Sequence, residues 1–324
     1  MSKVLVTGAG GFIGSHLAER LLQCGHVVRA FIHYHSRGDW GWLEQSPCRN
    51  QLEIVAGDIR DFDSVFLAAR GCSKIFHLAA LIGIPYSYDS PLSYIKTNIE
   101  GTYNILESAR MLECEKVVVT STSETYGTAQ FVPITEEHPL VGQSPYAATK
   151  IAADQLAISY HRSFGMPVTI VRPFNTYGPR QSARAIIPTI AMQILSGNKT
   201  LRLGNITPTR DLTFVHDTIE GFIKISDADQ LTGQVTNIGS NSEISIGDLA
   251  RKIAEICSRE VEITIEADRI RPDRSEVERL CCDNRKIMQY TDWRPAFSLD
   301  QGLRATMGWI GEHLDQYKTD LYQK

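Results

Sequence analysis

Residues 3–24 constrain the fold most. Lys3–Thr7 is a short run suited to a β-strand, and Gly8, Gly11 and Gly14 follow it at G-x-x-G-x-x-G spacing. A helical pattern from about Gly11 to Cys24 then leads into a second β-branched run, Val27–Ile32. In such a unit the first glycine allows the tight turn, the second lets backbone approach a pyrophosphate, and the third packs helix against strand. The helix N-terminus then favours the phosphate charge. Three glycines alone also describe an ordinary turn. Set inside a complete strand–loop–helix–strand unit they define a dinucleotide site, with Gly8, Gly11, Phe12, Ile13 and Gly14 as its cofactor-contacting residues.

The rest of the first half continues the alternation. Strands are predicted at Glu53–Ala56, Lys74–Leu78, Lys116–Thr120 and Val168–Arg172, with helices near Phe62–Arg70, Leu92–Leu112 and Pro145–Ser163. Apolar strands separated by helices give a parallel sheet covered on both faces, an α/β doubly wound, Rossmann-like fold. Beyond residue 175 the pattern loosens into a helix near Ala185–Ser196, loops, a strand at Val235–Ile238, a helix at Ile246–Cys257, a strand at Val261–Ile265 and a terminal helix from about Leu299. The expected division is a dinucleotide-binding domain of residues 1–174 with about 211–240, and a smaller α/β substrate lobe of about 175–210 and 241–324. The 324 residues suffice for two such units.

Composition narrows the partners. A net charge of −4 without a basic block gives no nucleic-acid surface. No run of 18 apolar residues suits a membrane span, and Met1-Ser2-Lys3 leads directly into apolar Val4-Leu5-Val6 without room for a signal peptide. Seven cysteines with no C-x-x-C spacing read as reduced thiols of a cytoplasmic protein rather than a disulfide framework or metal site.

The end of the second strand reads Phe31-Ile32-His33-Tyr34-His35-Ser36-Arg37, with no carboxylate until Asp39. An NAD site usually places an acid there for the adenosine ribose. Ser36 and Arg37 could instead hold the 2′-phosphate of NADP, since a guanidinium matches phosphate geometry. The cofactor therefore stays open between NADP and NAD, with Arg37 favouring NADP. Asp58 and Ile59, after the third strand, and Leu78, Ala79 and Ala80, after His77 and the fourth, complete the expected cofactor contacts.

Tyr146-Ala-Ala-Thr-Lys150 opens a predicted helix and places tyrosine and lysine on one face. A phenol with an ordinary pKa near 10 needs about three units of depression, roughly 4 kcal/mol, to act as a base at neutral pH. A cation ~4 Å away at an effective dielectric of ~20 supplies about that much, and Lys150 is placed to do so. Thr120-Ser-Thr122-Ser123-Glu124-Thr-Tyr-Gly127 follows the fifth strand, at the C-terminal edge where parallel sheets bind ligands. Thr122 is the hydroxyl expected on the substrate oxygen undergoing oxidation. Glu124 is a carboxylate beside the same pocket, though its spacing fits a surface loop acid equally well.

Together with Asn98-Ile-Glu-Gly101-Thr102, Arg172-Pro-Phe-Asn175-Thr-Tyr-Gly178-Pro179, Arg210-Asp211 and Asp292-Trp-Arg-Pro295, these residues resemble the extended short-chain dehydrogenase/reductases that act on nucleotide sugars. The resemblance covers nearly the whole chain. Glu124 points to the 4,6-dehydratases, since the 4-epimerases typically carry a small apolar residue there. Thr122-Ser123-Glu124 is similar to the Thr-Ser-Glu of GDP-mannose 4,6-dehydratase. It departs from the Thr-Asp-Glu of dTDP-glucose 4,6-dehydratase, which leaves the acid for the departing hydroxyl open. The segments Thr122–Ala129, Gln143–Asp154 and Phe174–Ala185, with Trp40-Gly-Trp-Leu43, look closest to bacterial nucleoside-diphosphate-N-acetylglucosamine 4,6-dehydratases of legionaminic- and pseudaminic-type pathways.

The resemblance implies a tightly bound NAD(P) and a UDP- or GDP-linked N-acetylhexosamine, with UDP favoured. It implies catalysis by Thr122, Ser123, Glu124, Tyr146 and Lys150, and diphosphate contacts from Asn175, Arg210, and Arg271 or Arg274. It also implies a homodimer or dimer of dimers joined through helices Leu92–Leu112 and Pro145–Ser163.

Overall fold

The computed structural model describes residues 2–270 and 272–317. Its centre is a sheet of seven parallel strands: β1 (Lys3–Thr7), β2 (Val27–His33), β3 (Glu53–Gly57), β4 (Lys74–His77), β5 (Lys116–Thr120), β6 (Val168–Pro173) and β7 (Val235–Ile238). Their spatial order is β7-β6-β5-β4-β1-β2-β3. The chain winds outward from β1 through β2 and β3, then returns to place β4 on the other side of β1. That reversal opens a crevice at the carboxyl ends of β1 and β4, where Thr7 pairs in register with His77 on one side and Phe31 on the other.

Side chains alternate across the strands, and both faces are covered. Val4, Val6, Val28, Ala30 and Phe76 pack with Leu17, Ala18 and Leu21 of α1 (Phe12–Gln23). Leu5, Phe31, Ile75, Val117 and Val119 pack on the opposite face with α2 (Phe62–Ala69), α3 (Gly101–Met111) and α4 (Pro145–Phe164). The predicted helix Leu92–Leu112 is helical over this span but not uniformly α. Pro91–Tyr94 passes into a π-helical segment at Ile95–Glu100 before α3 begins.

The remainder packs on the α1 face as an extension of the same core. It contains α5 (Ile186–Leu195), α6 (Val215–Asp227), α7 (Ile246–Ile256) and α8 (Leu299–Glu312). Short strand pairs join them: Thr176–Tyr177 with Thr213–Phe214, Thr200–Leu203 with Glu262–Ile265, and Thr209–Asp211 with Glu243–Ser245. Helix α6 has no counterpart in the sequence reading, although Val215, Ile219, Phe222 and Ile223 are spaced for one apolar face. All seven cysteines are free thiols. Among the described residues, no helix is long and apolar enough to cross a membrane, and no cluster of side chains suits a metal ion.

Candidate active site

A cleft of ≈ 750 Å³ runs over the carboxyl edge of the sheet and under the lobe. Its floor is the glycine loop. Gly8 adopts φ +67°, and a Cβ there would meet the Ala79 nitrogen at 2.9 Å; one on Gly14 would meet the Gly8 carbonyl at 2.2 Å. Only glycine fits these two positions, and their close packing leaves the amino end of α1 facing the cleft, as a pyrophosphate requires. Gly10 adds a constraint absent from the sequence reading. Its missing Cβ would lie 2.6 Å from the Trp40 carbonyl, and Trp42 N donates to Gly10 O at 3.0 Å. The Trp40-Gly41-Trp42 turn is therefore pressed onto the loop.

Gly8, Gly11, Phe12, Ile13, Gly14, Leu78, Ala79 and Ala80 all line this cleft, while Ser36, Arg37, Asp58 and Ile59 do not. Ser36 and Arg37 are exposed in the turn beyond β2. His33, His35, Asp39 and Trp40 border the cleft in their place. Asp58 turns its carboxylate to Arg60, which donates through Nε at 2.9 and 3.1 Å and holds that carboxyl below the usual range. Ile59 is buried against α3, and its carbonyl accepts from Asn104. His77, at the end of β4, is likewise buried, bridging Thr7 Oγ1 at 2.9 Å and Thr102 Oγ1 at 3.1 Å.

The reacting groups converge. Ser144 caps α4 by accepting from Ala147 N, and Pro145 takes the first helical turn. Tyr146 and Lys150 thus start on a fixed helix end, both almost fully buried and both lining the cleft. Thr122 caps the short turn Ser123–Tyr126 by accepting from Glu124 N at 3.2 Å. The strand end delivers Thr122, Ser123 and Glu124 to the same cleft. Ser123 is buried, while Thr122 and Glu124 are half-buried. Among the described residues no side-chain hydrogen bond or ion pair engages the Glu124 carboxylate.

Burial controls the proton affinities here. It pushes the Tyr146 phenol well above its ordinary value, against an opposing hydrogen bond from Thr122. Burial lowers Lys150 to about 8, and the Asp154 charge resists that fall. The Lys150 ammonium donates to the Thr120 carbonyl. Desolvation, which disfavours the phenolate, sets the Tyr146 phenol high, in place of the depression expected from Lys150. Behind the pair, Asp154 Oδ2 accepts from Ser121 at 2.7 Å and from Arg172 at 2.8 and 3.1 Å, all of it buried. The Arg172 guanidinium also lies 4.8 Å over the Tyr126 ring.

The lobe side is charged. Arg202, Arg210, Arg269 and Glu276 line the cleft with Asn175. Arg210 pairs with Glu276 at 3.1 Å, and Asn175 Oδ1 is buried without a hydrogen-bond partner among the described residues. Arg274 is exposed and not among the lining residues; its carbonyl accepts from Gln143. Arg271 lies outside the described residues. Arg184, which the sequence reading did not select, also borders the cleft.

A dinucleotide fold with a Tyr-x-x-x-Lys pair at its crevice defines an extended short-chain dehydrogenase/reductase. The chain belongs to the family described as GDP-mannose 4,6 dehydratase, whose model matches residues 5–306. It is 32% identical to the UDP-N-acetyl-alpha-D-glucosaminuronate decarboxylase of Bacillus cytotoxicus, over 96% of this chain and 98% of that one. It is also 32% identical to the UDP-glucose 4-epimerase of Mycolicibacterium smegmatis, over 94% and 97%. The structure of the dTDP-glucose 4,6-dehydratase of Streptomyces venezuelae, solved with NAD bound, superposes with a TM-score of 0.87 at 29% identity, covering 98% of this chain and 99% of that one.

Proposed function

We propose that this protein is an NAD(P)-dependent nucleotide-sugar 4,6-dehydratase acting on a UDP-linked N-acetylhexosamine, with UDP-N-acetylglucosamine as substrate. Glu124 carries the reading: a carboxylate without a side-chain partner among the described residues, lining the same cleft as Tyr146 and Lys150. The glycine loop and the amino end of α1 would hold the cofactor pyrophosphate, with Leu78, Ala79 and Ala80 along the strand edge. A nicotinamide cofactor held there would supply the hydride acceptor and donor that C4 and C6 of the sugar require.

Tyr146 takes the 4-hydroxyl proton as the C4–H bond breaks, with Thr122 holding the oxygen and Lys150 supplying positive charge. The 4-ketone so formed acidifies C5, and Glu124 removes that proton as general base. The C6–O bond then breaks, and the proton on Glu124, or one passed through Ser123, leaves with the hydroxide as water. A proton delivered to C5, balancing the one taken by Tyr146, and a hydride at C6, which NAD(P) held in the cleft would supply, would complete a 4-keto-6-deoxy sugar. Asn175 and Arg210 are assigned to the diphosphate.

Glu124→Gln keeps size and hydrogen bonding but removes basicity. General base catalysis is worth on the order of 10²–10⁴ in rate. The variant should still reduce its bound cofactor on addition of UDP-N-acetylglucosamine, seen in nicotinamide absorbance, while forming 6-deoxy product at least ~100-fold more slowly. Tyr146→Phe should block both steps. Mass spectrometry of the parent reaction separates the alternatives found among the relatives: loss of water for dehydration, unchanged mass for epimerisation, and loss of carbon dioxide for a decarboxylase given a uronate. Dehydration by Glu124→Gln at the parent rate would remove this residue from the mechanism.

A further inference from the structure

Arg184 stands apart from the other arginines of the cleft. Arg210 is paired with Glu276, and Arg202 and Arg269 share Glu266 at 3.6 and 2.6 Å. Among the described residues no carboxylate pairs with Arg184. Its backbone N and its Nε both donate to the neighbouring Ser182 hydroxyl at 3.4 Å. Arg184 is exposed and lines the cleft.

Its place relative to the reacting groups is set by two rings and a glycine. Tyr94 is fully buried, packs edge-on against Tyr146 with centroids 6.3 Å apart, and donates its hydroxyl to the Gly83 carbonyl. A Cβ added at Gly83 would lie 3.2 Å from Arg184 Nη1 and 3.5 Å from the Tyr94 hydroxyl. Gly83 has φ −71°, which any residue adopts; the bare position serves to leave room for the guanidinium. Arg184 therefore reaches across the cleft to the loop beside Tyr146, at the end where the sugar reacts. Arg202, Arg210 and Arg269 come instead from the strands Thr200–Leu203 and Thr209–Asp211 and the turn Ala267–Arg269.

We propose that Arg184 is a specificity-determining residue that takes a planar oxygen acceptor on the sugar, the carbonyl of an acylamino group or a carboxylate. A guanidinium presents several donors in a rigid plane, which suits such an oxygen better than a ring hydroxyl. An unsubstituted hexose would leave those donors without their acceptor. The inference rests on the nucleotide-sugar reading above and names the feature of the sugar that the cleft selects.

The test uses the purified protein saturated with NAD. Binding of the UDP and GDP forms of N-acetylglucosamine, glucuronate and glucose is measured by calorimetry for the parent, Arg184→Ala and Arg184→Lys. The parent should prefer the N-acetylated or the carboxylated sugar over glucose. In Arg184→Ala that preference should collapse by about 10–100-fold, the value of a hydrogen bond to a charged group. Arg184→Lys should recover only part of it, having the charge without the planar fork. Collapse for the N-acetyl sugar alone identifies an acyl carbonyl as the acceptor, and collapse for the uronate alone identifies a carboxylate. Equal weakening of all three sugars would assign the guanidinium to the diphosphate and overturn the inference, leaving the functional reading intact. So would a parent without preference, or an unchanged preference in the variant. A parent that binds none of these nucleotide sugars would overturn both.

Discussion

At the scale of single residues, a side chain's direction decides which of two nearby candidates meets a ligand. Arg37 and Asp39 are two positions apart, yet only Asp39 borders the cleft; its Oδ1 accepts from Gly41 N at 2.6 Å, within the turn packed on the glycine loop. With a carboxylate at the border of the cleft and Arg37 in the exposed turn, NAD is expected to bind in preference to NADP. Arg37→Ala should leave the Kd for NAD and NADP unchanged within about twofold. Asp39→Ala should weaken NAD by on the order of 10-fold, as expected for losing one charge-assisted hydrogen bond, and narrow the gap to NADP by relieving repulsion of the 2′-phosphate. Titration of nicotinamide fluorescence checks both. Selective loss of NADP in Arg37→Ala would restore the guanidinium as the phosphate ligand.

At the scale of elements, two helices carry more apolar surface than the sheet covers. Leu92, Ile95, Tyr103 and Met111 are 61%, 47%, 44% and 53% exposed on the run ending in α3, and Phe164 is 58% exposed at the end of α4. Such surface on adjacent helices suits an isologous two-fold contact, and the proposed assembly is a homodimer built on it. Tyr103→Asp with Met111→Asp should shift the mass in light scattering from dimer to monomer at micromolar concentration; a parent already monomeric would end the proposal. The sequence makes these helices and all seven sheet strands legible because their apolar patterns are local. It does not reveal the π-helical segment, because that depends on a distant partner: Asn98 bonds Leu81 through both backbone groups and reaches Thr149 Oγ1 at 3.1 Å. The same holds within the site. Tyr146, Lys150, Thr122 and Glu124 are legible from spacing at a strand end or helix start. Arg184 and Asp39 were missed because nothing in their neighbours' identities says which way a loop turns them.

At the scale of the whole molecule, the cleft floor is tied to the core through a histidine that must stay neutral. His77 joins β1 to α3 through Thr7 and Thr102, and Thr7 Oγ1 also accepts from the Leu78 and Ala79 amides at 3.1 Å. Burial, helped by the Lys150 charge, lowers His77 to about 3. His16, buried between α1 and the Pro179 carbonyl, is lowered to about 4 by burial and Arg180. The unfolded chain binds a proton at each site below about pH 6.5, while the folded chain does not until far lower. Each histidine therefore costs stability as pH falls from about 6.5 toward its folded value, by up to about 1.4 kcal/mol per pH unit. His77→Gln keeps a donor and an acceptor but cannot titrate. At pH 7 it should be less stable than the parent by roughly 1–3 kcal/mol, the cost of an imperfectly satisfied buried polar site. That deficit should shrink as pH drops through 6 and 5, because only the parent loses the His77 contribution. Urea denaturation across this range measures the gap. A gap that stays constant would mean His77 takes its proton as readily in the folded protein as in the unfolded one, and would overturn this account of the Thr7–His77–Thr102 bridge.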